Sequence, residues 1–478
     1  MRDILIILLA FFIVSCEDFE ELNTNVKSPT AVPGETLFSN AQKGLADQLA
    51  TINVNHNNFN LWSQYITETT YTDEANFNIV NRQVPDNAWS TFYKDVLNDL
   101  QEAKMIISKD EPVTIGDKAA KVNKLAIINI LEVYTYNRML GLWGNIPYTD
   151  ALNVNNILPK YDDALSVYHA IQDSLDNDIA ALKPMFGSFG SADIIYNGDV
   201  ALWKKFANSL KVKIAITLAD VDDATSKAAI EEAVADGVFE SNADNALFTY
   251  LQAQPNTNPL WVSLVASGRS DYVATSTIGD VLNDLNDPRI PYYYKNLDEN
   301  GHVIGGTYGA SNAYPNFSHL SDLMEDPTFP CTILDYSEVE FYLAEAAERG
   351  YSVGATAEEH YNNAITASIT SWGAGADAAA AYLAQPSVAY STAPGSWKEK
   401  IGIQAWVAFF NRGYEGWTSY RRLDYPELPM PVDAVTPSYA VRYTYPINEQ
   451  TLNGANYKEA ADAVGGDKLT TKLFWDVH

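Results

Sequence analysis

Cysteine is nearly absent from this chain, which has only Cys16 and Cys331 among 478 residues. An intramolecular disulfide would need both, and a modified Cys16 would leave Cys331 without a partner. The sequence therefore predicts a fold without disulfides, stabilised by its core, and the chain is long enough to bury a large one.

Long apolar runs are also scarce, and the clearest one covers residues 4–14, directly after Arg2. Eleven residues are too few to span a bilayer but suit the hydrophobic region of a secretory signal. Ser15 and Cys16 follow at once, as a lipoprotein signal peptidase requires. We predict a lipoprotein signal peptide at 1–15, lipid attachment at Cys16, an acidic tether over 16–35 and a single domain over 36–478.

Basic residues are few, because 31 Lys and Arg stand against 61 Asp and Glu, which gives a formal charge of −30. Nucleic acid is excluded as an expected partner, since phosphate binding needs clustered Lys and Arg. The acidic tether is expected to be held away from anionic lipid by like-charge repulsion, and the membrane is expected to be reached through the lipid anchor.

Catalytic motifs are missing as well. The chain has no Gly-x-Ser-x-Gly elbow, no His-Glu-x-x-His pair and no phosphate loop, and its six histidines are scattered. We predict that the protein is not an enzyme and has no cofactor. A structural calcium ion held by loop oxygens stays open, with no site to assign.

Helical periodicity is what the chain has in abundance. Apolar residues recur at spacings of three and four over 89–107, 164–182 and 203–218, and residues 125–143 are apolar on nearly all sides. Two further helices are predicted near Ser337–Glu340 and Thr356–Glu359, both with capping-box spacing, separated by Gly350. This pattern predicts a mostly α fold of tetratricopeptide-like helix pairs supporting an irregular, loop-rich ligand-binding face.

Strand patterns are sparse. Residues 292–294 and 302–304 flank the turn-forming Asp298-Glu299-Asn300-Gly301, which predicts a hairpin. The fold is therefore expected to contain only a few short strands.

Several stretches give the chain a family resemblance along its whole length. They are Gly198-Asp199, Trp203 to Lys211, Asn286-Asp287-Pro288-Arg289, Asp335 to Val339 with Leu343 to Ala346, Gly413 to Trp417, Arg421-Arg422, and Lys472 to Asp476. In this order they resemble the SusD/RagB-like nutrient-binding outer-membrane lipoproteins, particularly the second SusD-like group, a starch-binding outer-membrane-associated family.

The resemblance implies a surface-exposed, lipid-anchored protein that captures a glycan and delivers it to a SusC-like TonB-dependent barrel in the outer membrane. In the RagB branch of the family the ligand is a peptide, which is the alternative reading. A secreted glycan-degrading enzyme is a further alternative, and its mark would be a pair of acidic residues in a cleft with one raised pKa.

Two loops mix aromatic rings with hydrogen-bonding groups, the combination that sugars need. Residues 68–89 contain four predicted ligand contacts, Tyr71, Asn76, Arg82 and Trp89. Residues 302–319 contain two more, Tyr308 and Tyr314, which makes six predicted ligand-binding residues. A plain structural loop is the alternative for both, with Trp89 in the core. Arg421 and Arg422 are expected to pair with buried acids rather than bind a ligand.

Overall fold

The computed structural model describes residues 32–478 and is dominated by helices, which confirms the predicted mostly α fold. The predicted signal peptide and Cys16 lie outside these residues. The α-helices, in chain order, are α1 (Gly34–Ala50), α2 (Phe59–Trp62), α3 (Val84–Ser90), α4 (Asn98–Ser108), α5 (Ile115–Trp143), α6 (Ala164–Ala181), α7 (Val200–Thr217), α8 (Asp223–Asp236), α9 (Pro259–Trp261), α10 (Ser276–Asp284), α11 (Ile290–Tyr293), α12 (Tyr336–Glu348), α13 (Ala357–Ser371), α14 (Ala376–Leu383), α15 (Trp397–Ala408), α16 (Gly413–Leu423), α17 (Ile447–Leu452) and α18 (Gly454–Ala463).

Short π-helical and 3₁₀ segments join some of these helices. The π-helical ones are Thr91–Leu97 and Val262–Ala266, and the 3₁₀ ones are Gly190–Ala192, Asn242–Asp244 and Tyr314–Asn316. The first π-helical segment joins α3 to α4 without a break, so the apolar stripe predicted over 89–107 is realised as one continuous helical rod.

The strands form three separate two-stranded antiparallel sheets, within the part of the chain that the structure describes. They are β1 (Ile66–Glu68) with β3 (Tyr272–Ala274), β2 (Ala246–Phe248) with β6 (Cys331–Leu334), and β4 (Tyr294–Lys295) with β5 (His319–Leu320). Each sheet pairs two segments that are not adjacent in sequence, and this pairing holds the loops against the helices.

The helices stack as successive pairs, as predicted. Helix α1 packs on α4, α5 on α6, α7 on α8, and α12 on α13, while α4 against α5, α6 against α7 and α7 against α12 link one pair to the next. Each helix buries one apolar face that it could not bury alone, which is the tetratricopeptide-like principle. Helix α5 is buried on nearly all sides from Ala126 onward, as its composition predicts.

The predicted helical hairpin around residue 350 is confirmed, with one boundary moved. The capping box of Thr356 with Glu359 starts α13, and Gly350, at φ 80°, follows the end of α12. Helix α12, however, is capped by Asp335, which accepts from the Glu338 amide at 2.8 Å. The hydroxyl of Ser337 instead donates to the Ala364 carbonyl and ties the two helices together.

The predicted hairpin around residues 298–301 is wrong. The turn itself forms, because the Asp298 amide donates to the His302 carbonyl at 2.9 Å. Its upstream arm nevertheless pairs with His319–Leu320 rather than with 302–304. The downstream arm is held by Asn283, whose side chain bonds both the amide and the carbonyl of Val303.

One main core runs from Phe38 to Trp475, and a group of buried ion pairs sits where α5, α7, α12 and α16 meet. Lys213 donates to Glu338 at 2.7 Å and to Glu415 at 2.9 Å, and Arg138 and Arg412 complete the group. Burial alone would raise the pKa of Glu338, but Lys213 and Arg412 lower it to about 2. The network therefore stays ionised and fixes how the helix pairs sit on one another.

No helix among residues 32–478 combines the length and the apolar character needed to cross a membrane.

Candidate functional site

Four irregular segments meet on one side of the helical frame and form what we call the loop face, residues 69–83, 263–271, 305–319 and 428–438. The pairing of β1 with β3 brings the first two together, and the Thr69 amide extends it by donating to the Asp271 carbonyl at 2.9 Å. The third segment joins through Asn312, whose amide donates to the Thr69 carbonyl at 3.1 Å.

The side chain of Asn76 links the first segment of the loop face to the third and the fourth. Its side-chain amide donates to the Gly309 carbonyl at 2.8 Å, and its oxygen accepts from the Asp433 amide at 3.0 Å. Gly309 has φ 78°, and a Cβ there would lie 2.7 Å from both the Asn76 oxygen and Pro431, so only glycine fits. The Asn76 side chain is 4% exposed and its bonding groups are occupied, so in this conformation it shapes the face rather than lining it.

Tyr71 stands out on the surface of the loop face. It is 69% exposed and adopts φ 58°, a left-handed conformation that costs a side chain about 1 kcal/mol. Little packing offsets this strain because the ring is in solvent. Exposed aromatic rings held in strained conformations are the pattern expected of a binding position.

Arg269 lies beside Tyr71 and was missed by the sequence analysis. Its guanidinium donates to Asp271 at 2.6 Å, and this hydrogen bond, with smaller contributions from Tyr272 and Tyr71, raises the pKa of Arg269. The side chain is 58% exposed, so it keeps free donors for a ligand. The run Gly268-Arg269-Ser270-Asp271 in a loop was the only indication in the sequence.

Tyr314, on the third segment of the loop face, borders the same crevice as Arg269. Its ring stacks on His319 with centroids 3.6 Å apart, and His319 is fixed by contacts to the Tyr314 carbonyl and Asn296. Tyr314, Arg269 and Asp271 border one crevice of about 10 Å³, room for a single water molecule. A ligand would therefore lie across this surface instead of entering a pocket.

Arg82 is half-exposed and pairs with Glu74, which in turn contacts Glu68 beneath the loop. Burial, and then the adjacent Glu74, raise the pKa of Glu68 to about 9. Burial also raises the pKa of Glu74. This acidic pair has the raised pKa expected of a glycosidase, but Glu68 and Glu74 are 4% and 0% exposed.

The geometry of that pair also argues against catalysis. Both carboxyls are closed off from solvent, so a glycosidic bond could not be placed between them as glycoside hydrolysis requires. The pair instead holds Arg82 and the turn at 74–76 in place, since Glu68 also accepts from the Ala75 amide at 3.2 Å.

Comparison with known proteins places this architecture. The profile of a family described as "Starch-binding associating with outer membrane", SusD-like_2, matches residues 24–446. The chain belongs to this SusD-like family.

Solved structures agree with the assignment. A SusD homolog from Bacteroides uniformis is 26% identical with a TM-score of 0.78, and the match covers 92% of this chain and 99% of that one. A chitin-binding protein is 25% identical with a TM-score of 0.78, over 93% and 100% of the two chains. A chitin-binding SusD homolog from Flavobacterium johnsoniae, 24% identical over 93% and 98%, has a TM-score of 0.74. A search of curated proteins found no match.

Within this SusD-like chain, the structure does not bring all six predicted ligand-binding residues together. Tyr71, Arg82 and Tyr314 reach the surface of the loop face, whereas Tyr308, 5% exposed, is buried beneath it. Trp89 lies elsewhere, 9% exposed, with its ring 5.0 Å from that of Trp143, beside a cleft under residues 147–159. Direct ligand contact by any of the six stays a prediction.

The two arginines expected to be structural are both buried in this SusD-like fold. Arg422 pairs with Glu345, as predicted. Arg421 differs, because its guanidinium donates to the carbonyls of Gly141 and Val441, both at 2.9 Å, and stacks on Trp417 instead of meeting an acid. Burial lowers the pKa of Arg421 to about 10.

No group of three His, Cys, Asp or Glu side chains in residues 32–478 is placed to hold a metal ion. A structural calcium ion held by loop oxygens stays open, with no site assigned to it.

Proposed function

We propose that this SusD-like protein captures an oligosaccharide on the loop face and passes it to a SusC-like TonB-dependent barrel, while a lipid on Cys16 holds it at the cell surface. The observation that carries the proposal is the exposed Tyr71 beside the Arg269–Asp271 pair. A flat ring packs against the C–H face of a sugar, and an arginine–carboxylate pair supplies donors and acceptors for its hydroxyls.

The shape of the loop face supports an extended ligand. Tyr71 and Tyr314 lie on two different segments of the loop face, and the crevice that Tyr314 shares with Arg269 is too small to enclose a sugar ring. A chain of several sugars laid across the face would meet both rings. The starch-binding description of the family and the chitin-binding relatives fit a ligand of this class.

Calorimetric titration of the mature chain with starch-derived and chitin-derived oligosaccharides and with peptides tests the proposal. We expect saturable saccharide binding that Tyr71→Ala and Arg269→Ala each weaken at least tenfold. Leu452→Ala, which alters a side chain that is 72% exposed and lies outside the loop face, is the matched control and should bind normally.

Product analysis of the same mixtures separates binding from catalysis. Saccharides recovered intact support capture, whereas shorter products would replace it with an enzymatic function. Binding of peptides alone would replace the glycan by the peptide ligand of the RagB branch.

The barrel partner is tested separately. Membranes solubilised from cells that express the affinity-tagged, acylated chain should yield a TonB-dependent barrel with it in stoichiometric amount. Recovery of the chain without any barrel would contradict the delivery step while leaving the saccharide result intact.

A further inference from the structure

A cleft between three helices lies outside the loop face, and we call it the α5 cleft. It is bordered by α4, α5 and α6 and by the segment 148–152, and it shares no residue with the loop face. Its volume is about 530 Å³. Small-molecule sites in proteins have volumes of about 300–1,000 Å³. The α5 cleft is therefore large enough to enclose a small ligand, unlike the crevice beside Arg269.

Two tyrosine rings line the α5 cleft. Tyr136 on α5 and Tyr148 meet edge to face, with ring centroids 4.8 Å apart and ring planes at 80°. Neither hydroxyl bonds to a residue that the structure describes, and neither is closed off from open space. Burial raises the pKa of both hydroxyls, so they stay protonated and can donate as well as accept. The two tyrosines therefore offer ring surfaces together with hydroxyl groups that a ligand can use.

A charged pair also lines the α5 cleft. Lys104 on α4 donates to one carboxylate oxygen of Glu132 on α5 at 3.0 Å. An ammonium group has three N–H donors, so Lys104 keeps donors for a ligand, and Glu132 keeps its second oxygen as an acceptor. Gln101, one turn before Lys104, adds an amide that bonds to no other described residue. Because the two charges balance, this set of groups suits a neutral ligand rich in hydroxyls.

The segment that carries Tyr148 is held in a defined conformation. The Tyr148 amide donates to the Asp162 carboxylate at 2.8 Å. Leu152 has φ 58°, a left-handed conformation that side chains rarely adopt. Leu152 borders both the α5 cleft and the cleft beside Trp89, so this segment separates the two. Tyr148 is thus positioned by the fold before any ligand arrives, and Trp89 does not belong to the α5 cleft.

The α5 cleft is short along the helix axes. Its lining residues run from Gln101 to Ser108 on α4 and from Asn129 to Tyr136 on α5, which corresponds to about 10 Å on each helix. This length accommodates one sugar ring with its hydroxyls but not a chain of several sugars.

We propose that the α5 cleft is a second saccharide site, which binds a single sugar ring. A face of the sugar packs against Tyr136 or Tyr148, and its hydroxyls exchange hydrogen bonds with Lys104, Glu132 and Gln101. The proposal rests on the saccharide class in the proposed function but not on the loop face. The protein then holds two saccharide sites of different size, one for a chain and one for a monosaccharide.

Ligand-observed NMR titration of the mature chain with glucose and with N-acetylglucosamine, the units of starch and chitin, tests the proposal. We expect saturable binding of at least one of them. Gln101→Trp places a large ring in the α5 cleft and should weaken this binding at least tenfold. Glu102→Trp, at the exposed neighbouring position of the same helix, is the matched control and should bind as the parent does. Failure of both sugars to bind, or an equal loss in both tryptophan variants, would overturn the proposal.

A smaller substitution guards against misfolding of Gln101→Trp. Tyr148→Phe removes only a hydroxyl that has no partner among the described residues, so monosaccharide affinity should fall at least threefold while the melting temperature stays the same. Tyr457→Phe on α18, whose hydroxyl donates to Asp467, is the control and should leave the affinity unchanged. Unchanged affinity in Tyr148→Phe, together with a lower melting temperature in Gln101→Trp, would refute the site.

Loop-face variants separate the two saccharide sites. The double variant Tyr71→Ala with Arg269→Ala should bind the monosaccharide as the parent does, and Gln101→Trp should bind oligosaccharides as the parent does. Loss of monosaccharide binding in the double variant would place that binding on the loop face and overturn the α5 cleft. Monosaccharide binding that Gln101→Trp weakens, in a chain that binds no oligosaccharide, would instead support the cleft and contradict the loop face.

Discussion

Arg422 donates to both carboxylate oxygens of Glu345, at 2.7 and 2.8 Å, across the contact between α16 and α12. Both residues are nearly excluded from solvent, at 6% and 1% exposure. Removing one partner of such a pair leaves a buried charge without compensation.

We therefore expect Glu345→Ala to lower the free energy of unfolding by about 3–5 kcal/mol. Chemical denaturation measures this, with Glu358→Ala, an exposed acid on α13, as the control. The paired replacement Glu345→Leu with Arg422→Met should lose much less, and an equal loss in both variants would mean that packing, not charge, is responsible.

Glu68 gives the protein a pH dependence of stability. The pKa of its carboxyl rises from 4.5 to about 9 on folding, because it is buried and lies beside Glu74. A carboxyl whose pKa is higher in the folded state contributes its full stabilisation of the fold at pH values below its unfolded pKa. That contribution decreases as the pH rises toward the folded pKa. Glu68→Gln should therefore raise the melting temperature, and by more at pH 8 than at pH 5.

Thermal melts at the two pH values check this. Glu299→Gln makes the same chemical change on an exposed side chain and should shift the melting temperature little at either pH. If the Glu68→Gln advantage were constant across pH, the carboxyl would not be the titrating group.

Tyr71 is exposed at the cost of a strained backbone conformation, which lowers the stability of the fold. Glycine tolerates its φ of 58° without strain, so Tyr71→Gly should leave the unfolding free energy unchanged or raise it by up to about 1 kcal/mol while abolishing saccharide binding. Calorimetry and denaturation on the same samples check both halves. Tyr71→Phe keeps the ring and should keep most of the affinity, whereas a loss as large as that of glycine would point to the hydroxyl.

Arg269 should behave in the opposite way to the buried arginines. Its pairing with Asp271 is exposed to solvent, so Arg269→Ala should leave the melting temperature almost unchanged while weakening saccharide binding. A large drop in melting temperature would instead assign Arg269 a structural role.

Substitution of Asn76 tests whether this residue shapes the loop face or contacts the ligand directly. Asn76→Ala leaves the Gly309 carbonyl and the Asp433 amide without their partner and should lower stability by about 1–3 kcal/mol together with affinity. If affinity fell with stability unchanged, Asn76 would be a direct ligand contact, as the sequence analysis predicted.

The helical frame could be predicted because its information is local. Apolar spacing marks each buried helix face, and the capping box of Thr356 marks where α13 starts. The family stretches belong to the same frame. Arg289, in one of them, is 0% exposed and bonds Asp287 and Ser368.

The loop face could be predicted only in part, because its contacts are remote in sequence. The pairing of β1 with β3 brings Arg269 near Tyr71, although the two residues are about 200 positions apart in the sequence. No local sequence pattern predicts that pairing. Asn76 and Tyr308 were placed in the correct loops, but their burial depends on Gly309 and on residues near 433. Composition can identify a candidate loop but not which side chains point outward.

The hydrogen bond from the Asp433 amide to Asn76 ties the last segment of the loop face to the first. A chain that ends before residue 433 carries Tyr71 but lacks the hydrogen bond that ties the first segment of the loop face to the last. If saccharide binds the loop face as proposed, such a chain should bind it more weakly than the full-length chain.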